Sequence, residues 1–260
     1  MNRLNRKFVE LKQKQEKGLI GFIMAGQPDF QTGIDCARTL QDAGCDILEI
    51  GVPYSDPIAD GEVIERVHFK GVEEGMNMSR ALDFMAAVRA QCELPLVMFS
   101  YFNPIFHRGM PAFIRELKAA GGSAVIIPDL PLEERVRFAS PELDMIPMVA
   151  PTSDARRIAE IDAVAQSFIY CVSVAGVTGV RQQLPDLKDY LARVRANTTH
   201  PLAVGFGISS PQQIVALKDN VDALVVGSVL VRTIEEYGGD SSRLLRELSQ
   251  TMSALKQAAC

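Results

Sequence analysis

Short runs of apolar, often β-branched residues recur along the whole chain, and longer amphipathic segments separate them. Most of these runs are continuously apolar and show no alternation of apolar and polar positions. This pattern is typical of parallel strands that are covered on both faces. The predicted strands are Leu19–Met24, Asp46–Gly51, Leu96–Tyr101, Ser123–Pro128, Met145–Ala150, Ser167–Ser173, Leu202–Ile208 and Ala223–Val229.

The segments between the runs carry apolar residues at helical spacing and begin or end at capping residues. Pro111–Ala120, for example, opens with a proline in its first turn and stops at two glycines. A further N-terminal helix has Leu4, Phe8 and Leu11 on one face, and we expect it to cover the bottom of a barrel. The other predicted helices are Phe30–Ala43, Arg80–Cys92 capped by Ser79, a segment from Ser153 or Asp154 to Val164, Asp186–Asn197, Pro211–Lys218 and Ser241–Ala259.

The regular alternation of strands and helices indicates the fold class. Eight strands, each followed by a helix, predict a single (β/α)8 TIM-barrel domain over residues 1–260, with an extra N-terminal helix. A doubly wound open sheet is the alternative. Against it, Gly21 and Gly26 do not form the GxGxxG sequence expected after the first strand. No linker or low-complexity run divides the chain.

Charge and cysteine content narrow the possible partners. The formal net charge of −5 gives no reason to expect nucleic acid or an anionic membrane. The N-terminal residues lack the apolar run of a signal peptide, and no apolar stretch is long enough to cross a membrane. Five scattered cysteines without a CxxC pair suggest neither a disulfide framework nor a metal site, so a reducing cytoplasm fits best.

Two carboxylates stand in unusual surroundings near the second predicted strand. Glu49 lies inside the apolar run, and Asp60 follows in a loop rich in proline and glycine. In a barrel, Glu49 shares a face with Ile47, and desolvation at the mouth would raise its pKa toward neutrality. A glutamate satisfied by a buried tyrosine, serine or arginine, and a solvated turn aspartate, are the structural alternatives.

Glycines follow the last two predicted strands at Gly205, Gly207 and Gly227. Small residues there let backbone N–H groups approach a ligand, and a helix starting at Ser228 would direct its positive dipole end to the same place. Gly179, in the preceding loop, could supply another N–H. The pattern matches the usual phosphate site of this fold, although these glycines could also serve only tight turns.

Aromatic and histidine residues give weaker signals. Phe22 and Tyr170 are candidates for stacking on a flat ring, but either could be plain core. His68, His107 and His200 are isolated, without the spacing of a metal site or a catalytic triad. We expect His200, which precedes Pro201, to begin the seventh strand, at the wrong end of the barrel for catalysis.

An ordered series of motifs is now specific enough to compare with a known family. The segment Leu48–Gly61 resembles the "LEIGVPFSDPxADG" signature of the tryptophan synthase alpha chain family, and Phe22–Pro28 is similar to that family's "FITAGDP". The likeness continues in family order over nearly all of the chain. It includes Tyr101–Ile105, Pro128–Pro131, Ala150–Ser153, Ser173–Gly179, Gly205–Ile208 and Val226–Ser228.

The resemblance implies a TIM-barrel lyase that cleaves indole-3-glycerol phosphate to indole and glyceraldehyde 3-phosphate. It implies Glu49 as the general acid–base and Asp60 as the second catalytic carboxylate. It also implies that this chain holds no cofactor, and that a beta chain using pyridoxal phosphate joins it in an α2β2 complex. By the same resemblance, substrate is bound by Phe22, Tyr101, Tyr170, Thr178, Gly179, Gly207, Gly227 and Ser228, and the beta chain is faced by Asp56, Asn103, Pro104 and Asp129.

The match is weakest just after Gly61. Gln27 replaces the family's usual aspartate, Glu62 stands at a usual proline, and the run from Arg66 to Gly75 departs from the common pattern. These departures bear mainly on pairing with a beta chain. Three other readings stay open: a stand-alone lyase that releases indole, a non-catalytic subunit that only regulates a beta chain, and another phosphate-binding barrel such as an isomerase.

Overall fold

The computed structural model describes residues 2–173, 187–205 and 207–260. These residues form nine strands, all paired in parallel within one sheet, and most of them are fully buried apolar runs. The strands are β1 (Gly18–Met24), β2 (Ile47–Gly51), β3 (Leu96–Phe99), β4 (Gly122–Ile126), β5 (Asp144–Ile146), β6 (Met148–Val149), β7 (Ile169–Val172), β8 (Leu202–Gly205) and β9 (Ala223–Val226).

The sheet order closes on itself. It runs β5-β4-β3-β2-β1-β9-β8-β7-β6, and its two ends, β5 and β6, are separated in the chain by Pro147 alone. Proline has no N–H to donate to a ladder. Ile146 still pairs with β4, whereas Met148 pairs with β7, and the Pro147 carbonyl accepts the Tyr170 N–H at 2.9 Å. The predicted continuous fifth strand is therefore wrong in detail, and the predicted TIM barrel is confirmed.

Helices surround the barrel, and most of them coincide with helices predicted from the sequence. Three were not predicted, namely α3, α5 and α7. The bounds are α1 (Arg3–Lys14), α2 (Phe30–Asp42), α3 (Glu62–Glu73), α4 (Met78–Gln91), α5 (Phe102–Arg108), α6 (Met110–Ala119), α7 (Leu132–Phe138), α8 (Ala155–Asp162), α9 (Lys188–Ala196), α10 (Pro211–Leu217), α11 (Ser228–Tyr237) and α12 (Ser241–Ala259), with a 3-10 turn at Lys218–Asn220.

One helix start differs from its prediction. Asn77, rather than Ser79, caps α4, because the Asn77 side chain accepts the N–H groups of Ser79 and Arg80 at 3.0 and 3.2 Å. The other open choice is settled by Asp154, whose side chain accepts the Arg157 N–H at the start of α8. Both side chains satisfy N–H groups that a first helical turn leaves without partners.

The apolar core has two layers. The outer layer lies between strands and helices, and the inner layer fills the barrel lumen. Leu4 and Phe8 of α1 belong to the inner layer, where the Phe8 ring lies 5.4 Å from that of Phe168. The N-terminal helix therefore closes the bottom of the barrel, as predicted. At the opposite end, Val63 and Ile64 of α3 cover part of the lumen and leave a pocket beside it.

Candidate active site

The pocket at the carboxyl end of the strands combines groups from both sides of the barrel. It occupies about 400 Å³, counting the part open to solvent. This end of a TIM barrel is where active sites lie. Its lining consists of Phe22, Glu49, Asp60, Ile64, Phe99, Tyr170, Gly207, Val225, Gly227 and Ser228.

Glu49 is the acid in the lumen wall. It lies on β2 between Phe22 of β1 and Val97 of β3, and only 1% of its surface is exposed. Burial raises its pKa from 4.5 to about 8, because the carboxylate loses the water that would stabilise its charge. Its Oε1 has no hydrogen-bond partner among the described residues. A carboxyl group with this pKa can both donate and accept a proton near neutral pH.

Asp60 lies at the end of the loop after β2, and Tyr101 contacts it from the side away from the pocket. The Tyr101 hydroxyl donates to Asp60 Oδ2 at 2.7 Å and accepts the Ala59 N–H at 2.9 Å. Burial and the neighbouring Asp60 charge raise the Tyr101 pKa well above its usual value, so the phenol remains a donor. Tyr101 lies behind Asp60 and does not line the pocket. A role for it in contacting substrate stays a prediction.

His68 belongs to this cluster, and the expectation that it is isolated is wrong. It is fully buried on α3, and its Nε2 lies 3.2 Å from Asp60 Oδ2. The Tyr54 N–H donates to the other ring nitrogen, Nδ1, at 3.0 Å. The eight-residue separation from Asp60 and the buried stripe of α3 are the only sequence signals of this contact. His200 also lies beside a carboxylate: its Nδ1 is 2.7 Å from Asp162 Oδ1, outside the set of residues that lines the pocket.

Two aromatic rings enter the pocket because glycines leave room for them. A Cβ on Gly51 would lie 2.5 Å from Phe22 Cζ, and one on Gly205 would lie 2.0 Å from the Tyr170 hydroxyl oxygen. No side chain fits at either distance. Burial, together with the Glu49 and Asp60 charges, raises the Tyr170 pKa well above its usual value. Phe22 and neutral Tyr170 thus give the pocket flat apolar walls.

The side across from the carboxylates suits an anion. Gly207 has a positive φ of 96°, which glycine adopts freely, and it lines the pocket with Gly227 and Ser228. Helix α11 begins at Ser228, so its first backbone N–H groups and positive dipole end lie at the pocket wall. Thr178 and Gly179, the other predicted phosphate-side residues, lie outside the described residues.

The four residues expected to face a partner lie in the loops and short helix at this end of the barrel. Asp56 and Asn103 are exposed, and Pro104 and Asp129 are partly exposed. Asp129 also has an internal contact, because its Oδ1 accepts the Phe102 N–H at 2.8 Å at the start of α5. This hydrogen bond fixes α5 relative to the β4–α7 loop.

The described residues contain neither a cluster of metal ligands nor a membrane-spanning helix. Within residues 2–173, 187–205 and 207–260, no three His, Cys, Asp or Glu side chains are grouped as metal ligands. Nor does that part of the chain contain a helix long and apolar enough to span a bilayer.

The fold and the pocket together define a class. The chain is a parallel-barrel protein whose mouth carries a buried carboxyl group of raised pKa, a second carboxylate, aromatic walls and the N-terminus of a helix. The model of the family "Tryptophan synthase alpha chain" matches residues 8–260. The chain belongs to the tryptophan synthase alpha chain family.

Individual relatives agree with this assignment. The chain is 50% identical to the tryptophan synthase alpha chain of Syntrophomonas wolfei, over 97% of this chain and 98% of the relative. Identity to that of Carboxydothermus hydrogenoformans is 43%, over 91% of each chain. A crystal structure of tryptophan synthase subunit alpha from Legionella pneumophila superposes with a TM-score of 0.90 at 29% identity, covering 100% of this chain and 98% of that one. The alpha–beta complex a2b2 of Pyrococcus furiosus contains a chain similar to this one, with a TM-score of 0.84, 31% identity and coverage of 92% and 98%.

Proposed function

We propose that the chain cleaves indole-3-glycerol phosphate to indole and glyceraldehyde 3-phosphate. The observation that carries this proposal is Glu49, a buried acid with a pKa of about 8 in a pocket it shares with Asp60 and the start of α11. The family to which the chain belongs supports the substrate. An isomerase acting on another phosphate ester is disfavoured by the same family membership.

In this mechanism Glu49 moves two protons. As an acid it protonates C3 of the indole ring, which makes the ring a leaving group. As a base it takes the proton of the C3′ hydroxyl, so that the bond between C3 and C3′ breaks. The electron pair of that bond returns to the ring, and C3′ leaves as an aldehyde. General acid–base catalysis of this kind commonly contributes about 10²–10⁴ in rate.

Asp60 and the pocket walls stabilise and orient the substrate. Positive charge builds on the indole nitrogen when C3 is protonated, and the Asp60 carboxylate stabilises it from a site that excludes water. Phe22 and Tyr170 pack on the ring faces. Gly207, Gly227 and Ser228, with Thr178 and Gly179, bind the phosphate through backbone N–H groups at and near the start of α11.

We further propose that the chain acts as one domain over residues 1–260 and as the alpha subunit of a cytoplasmic α2β2 complex. The beta chain would then carry pyridoxal phosphate and face Asp56, Asn103, Pro104 and Asp129. The relation to the complex from Pyrococcus furiosus supports the assembly. Five free cysteines, four of them buried, support a reducing compartment.

The test is indole release from indole-3-glycerol phosphate by the purified chain, alone and with a beta chain. We expect release that increases with the beta chain, and a loss of at least about 10²-fold in kcat for Glu49→Gln. Glu62→Gln is the matched control, because Glu62 is exposed in the first turn of α3. Folded chain without release in either setting would overturn the proposal. High release that a beta chain leaves unchanged would favour a stand-alone lyase.

A further inference from the structure

The two ring nitrogens of His68 face different partners. The Tyr54 backbone N–H points at Nδ1, so Nδ1 is the acceptor in a 3.0 Å hydrogen bond. A nitrogen that accepts a hydrogen bond carries no proton. His68 is therefore the neutral tautomer with its proton on Nε2, because the hydrogen bond at one ring nitrogen sets the state of the other.

The protonated nitrogen faces the second carboxylate of the pocket. Nε2 lies 3.2 Å from Asp60 Oδ2, in a close contact that does not meet the geometry of a hydrogen bond. The Tyr101 hydroxyl donates to the same oxygen at 2.7 Å. The His68 ring also packs edge-on against the Tyr101 ring, with centroids 5.9 Å apart. Both donors thus approach Oδ2, which leaves Oδ1 as the oxygen available to a ligand.

The packing of α3 fixes this arrangement. His68 is fully buried, so its ring has little space in which to rotate. Gly71, one turn further along α3, lets the helix lie directly on the loop, since a Cβ there would be 2.5 Å from Pro53 Cγ. Tyr54 follows Pro53, and its ring stacks on that of Tyr101 at 5.2 Å. The helix, the loop and Tyr101 therefore form one packed support behind Asp60.

We infer that His68 is a positioning residue for Asp60: the ring remains neutral and is packed with its protonated Nε2 against Asp60 Oδ2. The inference rests on the proposed function of the pocket. Neutrality matters because an imidazolium in contact with Asp60 would offset the negative charge that stabilises the protonated indole. A neutral donor orients the carboxylate and leaves its charge in place.

Two variants separate the two contacts of His68. The side-chain amide introduced by His68→Gln places a donor near the position of Nε2, but it has no acceptor at the position of Nδ1. His68→Asn does the reverse, because its side-chain oxygen can accept the Tyr54 N–H and its amide is too short to reach Asp60. We expect His68→Gln to keep kcat for indole release within about threefold of the native chain. His68→Asn should lower kcat by about 10–100-fold with KM nearly unchanged, since Asp60 acts in the transition state.

A purely structural role would give another result. It would lower the activity of both variants in proportion to their loss of stability, measured by urea unfolding. Equal kcat for His68→Asn and the native chain would overturn the inference while leaving the lyase proposal intact. A native chain that releases no indole would overturn both.

Nitrogen NMR tests the protonation state without an activity measurement. Long-range proton–nitrogen spectra of the chain labelled with ¹⁵N should show His68 with a protonated Nε2 and an unprotonated Nδ1 at pH 7. A proton on Nδ1, or on both nitrogens, would overturn the inference even if the variants lost activity.

Discussion

Glu49 is buried among apolar side chains, so its pKa differs between the folded and the unfolded chain. Burial raises its folded-state pKa from 4.5 to about 8. The folded state therefore favours the protonated form, and the stability this gives is fully present below pH 4.5. It is lost as the pH rises from about 4.5 to about 8, because the unfolded chain then ionises more readily. The buried Glu49 thus lowers stability at neutral pH.

Replacing this acid with a neutral amide should remove that loss. Relative to the native chain, we expect Glu49→Gln to gain stability between pH 4.5 and 8, by at most about 4 kcal/mol. Urea unfolding of both proteins from pH 5 to 9 measures the difference. Glu62→Gln is the control, and its stability should follow the native chain closely. Parallel curves for Glu49→Gln and the native chain would show that Glu49 is already ionised when folded.

Gly51 acts through the space it leaves for Phe22. In Gly51→Ala the new Cβ would meet Phe22 Cζ at 2.5 Å, which forces the ring into the pocket. We expect KM for the substrate to rise about tenfold and stability to fall by about 1–3 kcal/mol. Steady-state kinetics and urea unfolding measure both effects. Gly239→Ala is the matched control, since no described atom lies within 4 Å of its Cβ position, and an equal effect there would refute the steric explanation.

At the scale of elements, apolar periodicity predicted the strands and most of the longer helices, α3 excepted. It missed features that depend on proline or on contacts between loops. Helix α5, which was not predicted, spans only seven residues, Phe102–Arg108, and has Pro104 in its first turn. Asp129 stabilises its start by accepting the Phe102 N–H from another loop. Such a contact has no local signal, because it exists only once the barrel brings the two loops together.

Prediction of the candidate active site from sequence has the same limit, because contacts formed only in the folded chain have no local signal. Glu49 and Asp60 could be picked out as carboxylates near one strand, and the structure does place both in one pocket. His68 could not be linked to Asp60, because the contact depends on how the loop turns before α3 begins. The segment after Gly61, where the match to the family is weakest, therefore contains His68, which contacts Asp60, as well as residues exposed to solvent.

Gln27 connects two elements in a way that accounts for its departure from the family pattern. It is buried in the β1–α2 loop, and its Nε2 donates to Glu74 Oε2 at 3.0 Å at the end of α3. An aspartate at position 27 would set two carboxylates near each other. We expect Gln27→Asp to lower stability by about 1–2 kcal/mol, and Glu74→Gln to restore part of that loss in the double variant.

Urea unfolding of the four proteins in this cycle measures the coupling. A control is Glu73→Gln, an exposed neighbour on the same helix, which should not restore stability to Gln27→Asp. Purely additive changes would mean that Gln27 and Glu74 do not interact, and the departure at position 27 would then need another cause.

At the scale of the whole molecule, the last helix ties the end of the chain to its beginning. Helix α12 buries Leu244, Leu248, Met252 and Leu255 against α2, α10 and α11. Near its end, Lys256 Nζ lies 2.8 Å from Asp46 Oδ2, and that oxygen also accepts the Leu19 N–H at 2.9 Å. One carboxylate thus joins β1, the start of β2 and the C-terminal helix at the bottom of the barrel.

Removing the cation from this junction should destabilise the whole barrel. Only 12% of the Asp46 side chain is exposed, and Lys256→Met removes its nearer cation, leaving Lys7 Nζ at 4.0 Å from Asp46 Oδ1. We therefore expect a loss of about 2 kcal/mol. Urea unfolding measures it, and kcat should stay unchanged because Lys256 is remote from the pocket residues. Arg156→Met provides the control: its pair with Glu160 is exposed, so its loss should cost less than about 0.5 kcal/mol. If both variants lose the same small amount, the junction at Asp46 does not stabilise barrel closure.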